Sequence, residues 1–75
     1  MTEKQKETFA RNLRICAAAE GIQQKELAEA LGTNQTTISR IFTGDRAATF
    51  EVVLAAAQKY GKSVEAFINT SFADI

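Results

Sequence analysis

The sequence predicts an all-α domain of five short helices, and three observations predict it. The chain has no proline, and its alanine, Leu, Ile, Glu, Lys, Arg and Gln content favours helix. Four glycines, Gly21, Gly32, Gly44 and Gly61, stand eleven to seventeen residues apart, each behind a segment of helical character. Apolar residues recur at helical spacing, and no alternating strand pattern competes with them.

The elements follow in order. The first helix is expected from about Lys4 to Glu20, with Phe9, Leu13, Cys16 and Ala17 on its apolar face. The second covers about Gln24 to Leu31 and turns Leu27, Ala28 and Leu31 inward. The third covers about Gln35 to Phe42, with Ile38 and Ile41 inward. Thr49 is a suitable N-cap for a fourth helix that buries Phe50, Val53, Leu54 and Ala57. Ser63 caps a fifth that offers Val64, Phe67 and Ile68.

Composition narrows the function classes. The 75 residues fit one domain, whose small core a partner subunit would supplement. One cysteine makes no intrachain disulfide, and the absence of histidine argues against a zinc site and against the commonest general base. Cys16 therefore reads as a small core residue. No glycine-rich phosphate loop and no nucleophile beside a base suggest an enzyme, and no cofactor, metal or small-molecule ligand is expected. No apolar run approaches the ~18 residues of a membrane span, and the N-terminus lacks a signal peptide's apolar stretch. A reducing compartment such as the bacterial cytoplasm fits. The net charge is zero, which weighs against nucleic-acid binding. Residues 1–46 carry seven basic and six acidic groups, and residues 47–75 carry two and three, so the basic bias is slight.

The segment Gln24–Phe42, QKELAEALGTNQTTISRIF, meets the separate demands of a helix-turn-helix. Two closely crossing helices need a small residue at the crossing, and Ala28 is there. The turn needs a residue that tolerates positive φ, and Gly32 stands four positions on. The second helix needs a branched apolar anchor, and Ile38 stands six further. Leu27, Leu31 and Ile41 complete the buried side.

With these residues in place, the stretch IQQKELAEALGTNQTTISRIFTG resembles the lambda-repressor-like helix-turn-helix family, which includes phage repressors and Cro proteins. FARNLRICAAAEG is similar to the family's first helix and closing glycine, and TFEVVLAAAQKYGKSVEAFI to its fourth and fifth helices. The resemblance covers about residues 9–69. Two positions depart from it. The charged pair that often links the first helix to the end of the third is replaced by Ala17 and Phe42, where an apolar contact is expected. The loop GDRAAT lacks a proline often found there.

The resemblance implies that the third helix lies in the major groove with its N-terminal residues against base edges. Gln35 and Thr36 lead that helix, and Arg40 lies one turn on. Gln pairs with adenine, Arg with guanine, and Thr touches a thymine methyl. Arg40 is equally suited to a phosphate. The resemblance also implies that Gln24 bonds a phosphate and buttresses Gln35, at a helix N-terminus that itself suits an anion. Asn34 caps the third helix, touches phosphate, or does both. Thr37, Thr43 and Arg46 are further phosphate candidates. Ser39 sits away from the leading end and is left out. The bland reading of all these residues is a solvated polar face.

The tail carries Phe67, Phe72 and Ile75, more large apolar groups than a solvated C-terminus explains. Residues 64–75 are therefore expected to form a homodimer interface. The expected function is a sequence-specific DNA-binding regulator, acting as a repressor on a two-fold-related operator of double-stranded DNA. The competing reading is a helix-turn-helix scaffold reused for protein binding, as an inhibitor or antirepressor, which the near-zero charge favours.

Overall fold

Four of the five helices open on a side chain that accepts an otherwise unpaired N–H. The computed structural model describes residues 1–74. Helix α1 spans Glu3–Glu20, α2 Gln24–Ala30, α3 Gln35–Thr43, α4 Phe50–Tyr60 and α5 Val64–Asn69, and a short 3₁₀ turn follows at Phe72–Asp74. No strand occurs among the described residues. Thr2 accepts from the Gln5 N–H at 3.1 Å while Gln5 Oε1 accepts from the Thr2 N–H at 3.0 Å, a reciprocal capping box on α1. The expected caps are formed at Asn34, Thr49 and Ser63, which accept from Thr37, Val52 and Ala66. Only α2 starts without a side-chain cap. All four glycines hold positive φ. At Gly32 the φ of 73° lets the Thr33 N–H reach back to the Ala28 carbonyl at 2.9 Å, which closes α2 and redirects the chain into α3.

The core is Phe9, Leu13 and Ala17 from α1, Leu27 and Ala28 from α2 with Leu31 beside them, Ile38 and Ile41 from α3, and Phe67 from α5. Each was expected to face inward, and Phe67 to meet a second subunit as well. Cys16 is half-buried against this core, and burial pushes its thiol pKa up, which keeps it protonated at neutral pH. Helix α1 packs against α3, α4 and α5 and so forms the base on which the others rest.

Helix α4 differs from expectation. Val52, Val53, Ala56 and Ala57 are buried, whereas Phe50 is 66% and Leu54 37% exposed. Apolar residues stand nearly all round α4, so periodicity alone does not select a face. Packing selects the side where two alanines permit close approach, and the bulky Phe50 and Leu54 are left outside.

The tail also differs. Phe67 is 0% exposed and lies inside the single chain's own core, with ring centroids 5.4 Å from Phe9 and 6.4 Å from Tyr60. It has no surface left for a subunit interface. Phe72 is half-buried and meets Phe67 edge-on at 5.0 Å. It covers its own core, so it does not require a second subunit to shield it. Ile75 lies outside the described residues. The end of α3 is joined to α1 by the Arg14 guanidinium, which donates to the Phe42 carbonyl.

Asn12 is the only buried polar residue among those described, and it is fully satisfied. Its Nδ2 donates to the carbonyls of Phe67 at 2.8 Å and Thr70 at 2.7 Å, and its Oδ1 accepts from the Phe72 N–H at 2.9 Å. No glycine closes α5, and Asn12 takes up the carbonyls left open at its end. At the other end of α1, the Tyr60 hydroxyl donates to Glu20 at 2.8 Å and the Lys59 ammonium lies 3.0 Å from the same carboxylate. The Tyr60 and Lys59 hydrogen bonds hold the Glu20 carboxyl below the usual carboxylate range. Burial, then Glu20 itself, pushes the Tyr60 hydroxyl up.

Two outcomes follow from these contacts. Asn12→Ala leaves two carbonyls and one N–H unpaired at the α5 end and is expected to cost roughly 3 kcal/mol, lowering the melting temperature by about 10 °C or more. A melt within a degree or two of the parent would show that solvent replaces the clamp. A depressed carboxyl stabilises the fold above its unfolded pKa, and that stability fades as pH falls through the lowered folded value. The Glu20→Gln variant should therefore lose less melting temperature than the parent between neutral and strongly acid buffer. Equal losses would mean that the Glu20 contacts add nothing.

Candidate nucleic-acid interface

The first residues of α3 are exposed because its buried positions, Ile38 and Ile41, lie on the opposite side of the helix. The Asn34 carboxamide oxygen accepts the Thr37 N–H at 2.8 Å and so caps α3. This leaves Gln35 and Thr36 exposed at the leading end. The tight turn at Gly32 brings the start of α2 alongside them. The result is one open groove of about 330 Å³ lined by Gln24, Gln35, Thr36, Ser39 and Arg40.

Four residues singled out in the sequence are thereby gathered on one surface: Gln24 from α2, and Gln35, Thr36 and Arg40 from α3. Gln24 is half-buried, whereas the other three are exposed. None of the four side chains is held by a hydrogen bond or ion pair within the described residues, so their donors and acceptors face outward. Ser39 belongs to the same groove and was passed over. The signal that finds it is helical spacing, since Ser39 lies four residues after Gln35 and three after Thr36.

The remaining candidates lie elsewhere. Asn34 and Thr37 engage each other through the cap, and neither lines the groove. The Thr43 hydroxyl lies 3.1 Å from the Arg40 carbonyl and 3.2 Å from an Asp45 carboxylate oxygen, so its single proton already has two acceptors. Arg46 is exposed and has no ion-pair partner among the described residues.

A second exposed surface is apolar. Met1, 54% exposed, and Phe50 border a groove of about 200 Å³ completed by Ala48, Val53, Val64 and Ile68. It joins the start of α4 to the outer side of α5. No helix among the described residues is long and apolar enough to cross a membrane.

A polar groove at the leading end of an exposed helix can form paired hydrogen bonds with planar polar edges. Glutamine offers a donor and an acceptor side by side, and arginine a donor fork. Comparison with known families gives the same emphasis: a family model described as helix-turn-helix matches residues 11–67, from the middle of α1 into α5. No curated protein matches the chain at a significant level.

If the groove reads bases, Gln35→Ala and Arg40→Ala should each cost ~1–3 kcal/mol on the preferred duplex and relax preference at one position per half-site. Titrations over single-base variants of that duplex measure this. A uniform loss over all variants would assign both side chains to phosphates instead.

Proposed function

We propose that this chain, which belongs to the helix-turn-helix family of Cro, lambda-repressor and XRE-type proteins, is a repressor that binds a two-fold-related operator as a homodimer. DNA binding and transcription regulation come with the family. The observation that carries the finer reading is the groove of Gln24, Gln35, Thr36, Ser39 and Arg40 at the leading end of α3. In this reading Gln35 and Thr36 meet base edges, and Arg40 meets a base or a phosphate. Gln24, Asn34, Thr37, Thr43 and Arg46 position the chain on the backbone. Repression needs nothing beyond occupancy: a domain seated on an operator excludes whatever else must bind there.

Size and charge support the homodimer. The chain measures 25 × 23 × 19 Å and carries no net charge. One copy reaches one major groove and gains little from general attraction to phosphate. Two bodies of this size side by side suit equivalent helices roughly 34 Å apart, one turn of the duplex. The second contact is then effectively intramolecular. The Phe50, Val64 and Ile68 face supplies an adhesive surface, in place of Phe67, which the chain's own core already buries.

The neutral charge also favours a second reading, a helix-turn-helix that binds protein rather than DNA. Selection from a random duplex library, followed by binding at rising salt, separates the two. A DNA-binding regulator should select an inverted repeat and lose affinity steeply with salt, whereas a protein-binding scaffold should select nothing. Phe50→Asp and Phe50→Lys, at a residue that is largely exposed, should leave the melt near that of the parent, turn dimers into monomers by sedimentation, and weaken operator binding by at least about 100-fold. Variants that stay dimeric at low micromolar concentration would place the interface elsewhere.

A further inference from the structure

Outside the α3 groove, unpaired cationic side chains gather along one stripe of α1. Lys4, Arg11 and Arg14 are exposed and, with Glu7, follow each other at intervals of three, four and three residues, which keeps them on one side of a helix. The ion pairs among the described residues are Lys6 with Glu3 and Lys59 with Glu20, so none of the three cations is neutralised by a bridge. The stripe runs into a groove of about 220 Å³ between α1 and the end of α3, lined by Glu7, Arg11, Arg14, Phe42, Thr43 and Gly44 among others. Arg14 is fixed there by its bond to the Phe42 carbonyl, which uses one of five guanidinium N–H donors.

We propose that Arg11 and Arg14 grip a phosphate of the DNA strand that borders the major groove at the trailing end of α3. The inference rests on the duplex-DNA reading above and extends the interface from α2 and α3 to α1. The geometry follows from helix length. Nine residues of α3 rise roughly 13 Å, and the major groove is about 12 Å wide. With the leading end of α3 against base edges, its trailing end reaches the phosphate wall. Arg14 is already tethered to that trailing end, and Arg11 stands one turn away on α1. Guanidinium groups suit phosphate because their planar fork pairs with two oxygens at once. Tethering Arg14 also offsets the negative end of the α3 dipole, which would otherwise repel an anion. Glu7 lies in the same groove and opposes the grip, so its charge limits phosphate affinity at this point.

The test uses the operator obtained by selection, with affinity measured against sodium chloride concentration and phosphate contacts mapped by ethylation interference. With one phosphate lost in each of the two subunits, the Arg11→Gln and Arg14→Gln double variant should reduce the slope of log affinity against log salt by about 1.8, and Arg11→Gln alone should reduce it by a smaller amount. Base preference should stay unchanged, and interference should vanish at the phosphates flanking each half-site. Glu7→Gln should raise affinity. Arg11 bonds no other residue within the described structure, so its single variant reads the phosphate contact without disturbing the α1–α3 link. A parent that binds with a steep salt slope, together with Arg11→Gln of unchanged slope and interference pattern, overturns the phosphate grip and leaves the DNA reading standing. A parent that shows no salt-dependent duplex binding overturns both.

Discussion

The placement of α5 against α1, and through it of the aromatic group beside α4, depends on one buried amide. Asn12 sits among Phe9, Leu13 and Phe67, where an unpaired polar group would be strongly unfavourable. Its two donors and one acceptor are matched by two carbonyls and an N–H from the end of α5 and the segment beyond it. An amide turned by half a rotation would face carbonyls with its own oxygen, so the contacts accept a single orientation. Apolar packing alone tolerates sliding of α5 along α1, but three directional bonds do not. Fixing α5 places Phe67 at the centre of an aromatic group with Phe9, Tyr60 and Phe72. That group, with the Glu20 contacts to Tyr60 and Lys59, sets where α4 can lie.

Rigidity in this frame has a consequence for the polar groove. α2 and α3 are short, at seven and nine residues, and helices of that length are not stable alone in water. They hold their crossing because Leu27, Ala28, Leu31, Ile38 and Ile41 are anchored in a core whose other side is α1. The groove residues are then free to remain unsatisfied. Gln35, Thr36 and Arg40 keep their hydrogen-bonding capacity for a partner because the scaffold's stability does not depend on them.

The parts of this arrangement that were legible in the sequence are those governed by local rules. Helix boundaries followed from glycines and from capping residues such as Asn34, Thr49 and Ser63. The helix-turn-helix was legible because Ala28, Gly32 and Ile38 each meet a different steric demand at a fixed spacing. Asn12 was not legible, because a polar residue beside an apolar stripe reads as solvated until its partners, more than fifty residues away in the chain, are known. The face of α4 was misread for a related reason: Val53 and Ala57 belong to both candidate faces, and only the close approach of α4 to its neighbours chooses between them. The edge-on contact of Phe72 with Phe67 was not legible either, because it depends on the 3₁₀ turn that brings the tail back over α5. Ser39 shares the groove because helical spacing, and not position at the leading end of α3, decides which residues face it.

A chain without net charge is an unusual DNA-binding protein only if its charges are averaged over the whole surface. Lys6 is matched by Glu3, and Lys59 by Glu20, at sites that serve the fold. Arg40, Arg46, Arg11 and Arg14 are not matched in this way, and all four belong to α3, its following loop, or the α1 groove that meets the end of α3. Arg14 itself lines that groove, so all four can serve a duplex lying along α3. Attraction at long range stays weak, because the total charge seen beyond a Debye length is zero. Attraction at contact does not, because phosphates then meet these cations individually. Such a distribution suppresses binding to random DNA more than binding to a fitted site. In the proposed reading, specificity then depends on the joint engagement of base edges and a few phosphates, and the proposed pairing of two copies multiplies that requirement.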